Sequence, residues 1–392
     1  MTGPAAPNDM LIIDVTRLVW RVWSGRLPTG IDRVCLAYVK HFRARAVAAV
    51  QRRGVRFVLG EGDSHALFDL LVAGGPGFRR ALVRRLPGAL VRAAVARRRR
   101  GGVYLNIGHT GLDAAALGAW IRRRGWRAVF MVHDLIPIET PRYCRPGEAE
   151  RHVRRMTHAV VAATTSGGGL IANSDGTRDA IDRFTTAHRL AAPPIVTAWL
   201  APHPLPPGPP TVRTRPYFLA IGTIEARKNH VLLLRLWQRL VARLGAAAPD
   251  LLVVGQRGWE AAEAFALLDA AQGDGHVVEL GRCDDATLAG LIRGARAVLM
   301  PSFAEGFGLP VVEALALGTP VIASDLAVFA EIGGGIPTLL PPDDLAAWEA
   351  AVVGFCGDAP ERIRQIAALP GYRASDWRGH FRIVEAWLAR LA

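Results

Sequence analysis

The sequence predicts two doubly wound α/β domains, and three observations carry that expectation. The chain has 392 residues, more than one ordinary domain accommodates. Nine short apolar runs alternate with stretches of helical period. A proline-dense decapeptide, APHPLPPGPP at 201–210, separates four of those runs from the other five. With 51% hydrophobic residues there is material for two cores, which excludes wholesale disorder.

Ahead of the prolines the runs are LIIDV (11–15), VYLNIG (103–108), AVFMVHD (128–134) and GLIANS (169–174). Beyond them come YFLAIG (217–222), LLVVG (251–255), VVELG (277–281), AVLMPS (297–302) and PVIASD (320–325). Continuous apolar runs suit strands covered on both faces by helices, which means parallel sheets. Segments 228–244 and 309–317 have period 3.6 and supply such helices. Proline removes amide donors and fixes φ, so neither helix nor central strand is expected across 201–210. The expected layout is a first domain at 1–200, a linker at 201–215, a second domain at 216–375 and a terminal helix within 376–392. Residues 45–100 match no pattern that assigns them. In sheets of this kind ligands bind beyond the carboxyl ends of strands, so the residues just after each run matter most.

Four scattered cysteines, Cys35, Cys144, Cys283 and Cys356, show no C-x2-C spacing and read as reduced thiols. The opening MTGPAAPNDM lacks the basic-then-apolar order of a signal peptide, and no uncharged apolar run reaches the roughly 18 residues of a membrane span. A cytoplasmic protein, soluble or peripheral at the inner face of the cell membrane, is expected. Residues 1–200 carry 31 Lys and Arg against 14 Asp and Glu, whereas 201–392 carry 17 against 20. Nine arginines and no acid lie between Arg79 and Arg100. Such a band attracts an anionic membrane surface by roughly 1 kcal/mol per cation. Nucleic acid is not the expected partner, and the plain alternative is a solvated arginine-rich helix face.

The most informative segment is 298–325, VLMPSFAEGFGLPVVEALALGTPVIASD. A strand ends at Pro301-Ser302, a loop carries Glu305, Gly306 and Gly308, and Pro310 sits at a helix start, where its missing amide costs nothing. The glycines permit close backbone approach, and the amides from Gly308 to Val311 form a candidate anion site bracketed by Glu305 and Glu313. In YFLAIGTIEARKNHVLLL, Lys228 is one of two lysines among 46 arginines. Keeping it suggests a need for a compact ammonium on phosphate oxygens. Arg227 either assists or is solvated. His133, ending a buried strand, can bond a sugar hydroxyl or place positive charge near a transition state, though a structural role is the commoner one for such a histidine. Gly30, in LPTGIDR, lets a loop approach a ligand. There is no G-x-G-x-x-G after a strand, and no G-x4-G-K-[ST], H-E-x-x-H or G-x-S-x-G, so dehydrogenase, P-loop and hydrolase readings lose their support.

From Glu305 to Glu313 the sequence resembles the retaining glycosyltransferases of GT-B fold, whose signature is E-x7-E. The likeness extends through GTIEARKNH, VVGQRGW, the stretch 279–325, and upstream to HDLIPIETP and ANSDGTRDAI. LIIDVTRLVWRVWSGRLPTGIDRV looks like a bacterial surface-polysaccharide subgroup. The resemblance implies two Rossmann-like domains facing across a cleft, the first for the acceptor and the second for a nucleotide-sugar donor, with the final helix crossing back onto the first. It implies that Glu305 contacts donor sugar hydroxyls, Glu313 the ribose, and Lys228 with the Gly308 and Leu309 amides the diphosphate. Gly306 and Phe307 belong to the same donor loop, and His133 and Gly30 contribute from the first domain. Thr223 stands where many members have arginine, which leaves open whether Arg227 substitutes. Neither cofactor nor metal is expected, since no D-x-D stands in a donor-site context. The implied reaction is hexosyl transfer, with GDP-mannose the first choice of donor, to a glycan or polyprenyl-diphosphate-linked acceptor. The competing readings are a catalytically silent basic membrane-binding protein and a GT-B epimerase or phosphorylase.

Overall fold

The computed structural model describes residues 10–25, 29–75, 77–95, 101–271, 273 and 275–391. The chain forms two compact units. One comprises residues up to Leu135, Glu150–Leu200 and the stretch from Trp377 onward; the other comprises Ile136–Ala149 and Ala201–Asp376.

The first unit is built on seven strands: β1 Leu11–Asp14, β2 Ala46–Arg52, β3 Val55–Val58, β4 Val103–Asn106, β5 Arg127–Val132, β6 Gly169–Ala172 and β7 Ile195–Thr197. Their order is β3-β2-β1-β4-β5-β6-β7. All neighbours are parallel except the β2–β3 pair. That hairpin lies in the stretch the sequence left unassigned. Arg52 pairs with Val55, and Arg53 and Gly54 between them have φ of 47° and 83°. Two positive φ values suit the right-handed twist of the flanking strands. An arginine at the first of these positions is not the Asn or Asp that announces such a turn in a sequence.

The second unit holds β8 Tyr217–Ile221, β9 Asp250–Val254, β10 Val277–Gly281, β11 Val298–Met300, β12 Val321–Ser324 and β13 Thr338–Leu340. It is parallel throughout in the order β10-β9-β8-β11-β12-β13. Helices cover the sheet. Phe218 of β8 meets the fully buried Trp237 of the helix His230–Leu244 edge-on, ring centroids 5.8 Å apart, and Trp237 Nε1 donates to Pro249 O at 2.9 Å.

Two boundaries differ from expectation. Residues Ile136–Ala149 group with the second unit rather than the first. The reason is aromatic: Tyr143 stacks on Phe303 at 4.6 Å, and the Arg145 guanidinium lies 5.0 Å from the Trp259 ring centre. The proline-rich stretch also packs as part of the second unit. Arg293 donates to Pro206 O (2.9 Å) and Thr211 N to Gly290 O (2.8 Å).

The terminal helix Trp377–Leu388 belongs to the first unit. Phe381 packs edge-on against Tyr38 (5.0 Å) and Phe42 (5.5 Å). His380 is buried with Nδ1 3.0 Å from Trp199 O and Nε2 2.8 Å from the Tyr38 hydroxyl. A carbonyl only accepts, so Nδ1 carries the proton and Nε2 accepts from tyrosine. Burial drives the His380 pKa down to about 4.

The unfolded chain therefore takes up a proton near pH 6.5 that the native state refuses until about 4. His380 should cost stability as pH falls through that window, by about 1.4 kcal/mol per pH unit at most. Urea unfolding between pH 7 and 4.5 should show a shallower acid loss in His380→Gln than in the parent.

Candidate active site

In the second sheet the chain leaves β8 toward β9 and β10 on one side, and β11 toward β12 and β13 on the other. Loops diverge there, so a crevice opens beyond the carboxyl ends of β8 and β11. The loop after β8 carries Gly222 to Asn229, and the loop after β11 carries Pro301 to Gly308. Phe303 N donates to Arg227 O at 2.8 Å, tying the two loops together.

Lys228 ends a short 3-10 turn, Ala226–Lys228, and its ammonium meets Glu305 Oε1 at 2.5 Å. Both side chains are buried, at 10% and 7% exposure. Ser302 Oγ donates to the same carboxylate oxygen (2.7 Å), and Arg227 reaches the other, Oε2, at 3.0 Å. Burial pushes the Glu305 carboxyl up, but Lys228, Arg227 and Ser302 together outweigh it and hold the pKa at about 2. Burial lowers the Lys228 pKa, with Glu305 opposing. The result is an ionised acceptor in a fixed position beside a point cation whose remaining N–H groups are not used by the carboxylate.

Arg227 also pairs with Glu225 Oε1 (2.7 Å) and donates to Ala304 O (2.9 Å). It is neither solvated nor a ready replacement for a cation at Thr223, because its guanidinium orients two carboxylates. Thr223 is half-buried with its methyl against Gly258, where a Cβ would come within 2.6 Å. Gly222 has φ of 135°, a conformation that L side chains rarely adopt, and its Cα faces the Lys228 side chain.

The helix Leu309–Ala316 starts from Gly308, whose φ is 98°. A Cβ on Gly308 would fall 2.6 Å from the Phe329 ring, so packing as well as backbone conformation requires glycine there. Val311 N is already bonded to Gly308 O (2.9 Å) and Pro310 has no N–H. The expected run of amides thus narrows to those of Gly308 and Leu309. Gly306 and Phe307 continue the loop after Glu305, but the Phe307 side chain is buried and offers a ligand only its backbone. Glu313 lies one turn into the helix, buried, and takes a long hydrogen bond from His203 N (3.4 Å). The structure thus brings Lys228, Arg227 and Glu305 into contact and gives Glu313 a different neighbour.

His133 and Gly30 belong to the first unit. His133 follows β5, buried, with Nε2 2.8 Å from Ile107 O, so Nε2 carries the proton and Nδ1 the lone pair. Burial lowers its pKa. A neutral imidazole suits the hydroxyl-bonding role better than the positive-charge role. His109 lies 5.2 Å away, ring to ring. Gly30 opens the helix Gly30–Phe42, where Thr29 and Asp32 form a capping box and Asp32 pairs with Arg17 (2.6 Å) and Arg21 (2.9 Å).

Sequence reasoning missed Ser302 and Glu225. Ser302 had a signal, a hydroxyl at a strand end three residues before the key carboxylate. Glu225 lies three residues before Lys228 but shows nothing in sequence to separate it from a surface residue.

Comparison with known proteins bears on this geometry. Residues 215–358 match the family described as glycosyl transferases group 1. The chain is 31% identical over 256 residues to the O-antigen chain mannosyltransferase B of Escherichia coli, covering 62% of this chain and 65% of that one. It is 37% identical over 174 residues to the phosphatidyl-myo-inositol mannosyltransferase of Mycolicibacterium smegmatis, covering 43% and 42%. The chain thus matches less than two-thirds of either relative's length. Among solved structures, Anabaena HepE, in complex with UDP and glucose, superposes with a TM-score of 0.63 at 15% identity, over 97% of this chain and 99% of that one. Sucrose-phosphate synthase from Thermosynechococcus elongatus gives 0.59 at 16%, over 97% and 96%. The fold is GT-B.

Glu305 contributes its full stabilisation above its unfolded value near 4.5 and loses it as pH falls through about 2. Ser302→Ala should remove about 1 kcal/mol at pH 7. Because Glu305 then titrates higher in the folded state, the acid loss of stability should still begin near 4.5 but should be smaller and end at a higher pH than in the parent, as read by urea unfolding at a series of pH values.

Proposed function

We propose, for a chain whose residues 215–358 belong to the glycosyl transferases group 1 family, that the protein is a retaining hexosyltransferase acting on a nucleoside-diphosphate sugar. The observation that carries this reading is the buried Lys228–Glu305 pair at the divergence of β8 and β11, beside a helix start with open amides. A diphosphate on Lys228 and the Gly308 and Leu309 amides meets a cation and the positive end of a helix dipole. Those groups are fixed before the reaction and gain strength as charge grows on the leaving phosphate. That supply of positive charge is why the proposed reaction uses no metal ion.

Glu305 accepts hydroxyl hydrogens of the donor sugar, and Glu313 takes those of the ribose. In the proposed front-face step the acceptor oxygen bonds to the anomeric carbon as the bond to the phosphate oxygen breaks. The departing phosphate takes the acceptor's proton, so the anomeric configuration is kept. Neutral His133 accepts a sugar hydroxyl through Nδ1. Mannose from GDP-mannose is the proposed donor pair, since the E. coli and M. smegmatis relatives are named as mannosyltransferases. A glycan or polyprenyl-diphosphate-linked chain is the proposed acceptor.

The helix Phe78–Val95 supports a peripheral membrane role. It exposes Arg79, Arg80, Arg84, Arg85 and Arg92 together with Val83 and Val91. The further arginines at 97–100 lie outside the described residues. Among the described residues no helix is long and apolar enough to cross a membrane.

Lys228→Ala should lower turnover by about two to three orders of magnitude. The assay is transfer from GDP-mannose, UDP-glucose and ADP-glucose, with the product anomer read by NMR. Isomerised donor or free sugar phosphate in the absence of acceptor would favour the epimerase or phosphorylase reading, and inertness toward all donors the silent binding protein. Separately, vesicles containing phosphatidylglycerol should bind the protein at low salt and release it at high salt. Replacing Arg79, Arg80, Arg84 and Arg85 with glutamine should abolish that binding.

A further inference from the structure

A cavity of about 440 Å³ opens beside the turn that carries Lys228 and is lined from the second unit alone. Its size falls within the range of small-ligand pockets, about 300–1,000 Å³. Lys228 and Glu305 do not line it. Its walls come from the turn, from the starts of three helices and from the stacked pair Tyr143–Phe303. Asn229, at φ 54°, holds the far wall in place by donating to Pro342 O at 2.7 Å.

Among the described residues, two that line the cavity each carry a buried polar atom without a hydrogen-bond partner: Glu225 Oε2 (residue 3% exposed) and His230 Nδ1 (residue 5% exposed). Orphaned polar atoms at this depth are costly, and a ligand that satisfied both would recover that cost.

The charges around them narrow the ligand. An anion would face Glu225, Glu260, Glu263 and Asp343, with Arg235 already paired to Glu263 at 2.5 Å. A cation would meet the same carboxylates, but Glu260, Glu263 and Asp343 are exposed and screened at the positive ends of the helices Ala262–Ala271 and Leu345–Cys356, Glu263 already holds Arg235, and buried Glu225 already holds Arg227. Neither full charge is favoured. A hydroxyl group fits: it donates to Glu225 Oε2, and with His230 Nδ1 it donates or accepts according to the tautomer. Burial keeps His230 neutral, with a pKa of about 4. Several hydroxyls on a ring with apolar C–H edges, set against Tyr143 and Phe303, describe a pyranose. We propose that this cavity is a carbohydrate-binding site separate from the Lys228–Glu305 site.

The inference stands apart from the proposed reaction, and the experiment keeps the two separate. Methyl α-mannopyranoside and methyl α-glucopyranoside are titrated into the full chain by calorimetry and saturation-transfer NMR, with spermidine, inorganic phosphate, GDP and UDP as parallel arms. At least one glycoside should bind saturably, and Tyr143→Ala and His230→Leu should each weaken it tenfold or more. Nucleotide affinity should stay within twofold in both variants, which also shows that they are folded. Glycoside binding that is absent, or unchanged in both variants, overturns the proposal, as does preferential binding of spermidine or phosphate lost in the same variants. Glycoside binding without nucleotide binding would leave this site standing and remove the donor site.

Discussion

A lysine ammonium and a glutamate carboxylate buried together at the carboxyl edge of a parallel sheet depend on each other. Desolvation alone would discharge both, raising the pKa of Glu305 and lowering that of Lys228. Contact at 2.5 Å, with Arg227 and Ser302 supplying further donors, keeps the carboxylate ionised. A buried pair of this kind is weak evidence for stability, because desolvation offsets much of the attraction. Its worth lies in position: the carboxylate is fixed and charged, and the ammonium keeps N–H groups that the carboxylate does not use.

That position depends on topology. The β8 and β11 loops lie side by side because β11 returns next to β8 while the intervening strands wind the other way. Lys228 and Glu305, 77 residues apart in sequence, meet only through this crossover. The first unit repeats the plan, with β1 and β4 adjacent and β2 and β3 wound to the other side. His133 stands at the end of β5, one strand from that divergence. The same fold logic therefore sets candidate residues at strand ends in both units.

The turn 225–230 concentrates unlike environments within six residues. Lys228 points its charge at Glu305, Arg227 bridges two carboxylates, and Glu225 and His230, each with a buried polar atom lacking a hydrogen-bond partner among the described residues, line a separate cavity. The left-handed Asn229 makes this possible, since it reverses the backbone between the 3-10 turn and the following helix.

The sequence by itself determined the strands whose apolar runs are continuous, the break at the prolines, and the singularity of Lys228. It also framed Glu305 and Glu313 by glycine, proline and a helix start. Those are local properties, legible from period, composition and turn chemistry. It was silent on the β2–β3 hairpin, whose turn begins with arginine, and on the segment Ile136–Ala149, whose place is set by Tyr143 stacking on Phe303. It could not show that Arg227 is committed to carboxylates, that Val311 N is already bonded, or that Gly308 is required by Phe329. Only the tertiary structure decided these. The Arg227–Glu305, Tyr143–Phe303 and Gly308–Phe329 contacts join residues distant in the chain, and a side chain's charge state and free hydrogen-bonding capacity depend on the neighbours that folding brings to it.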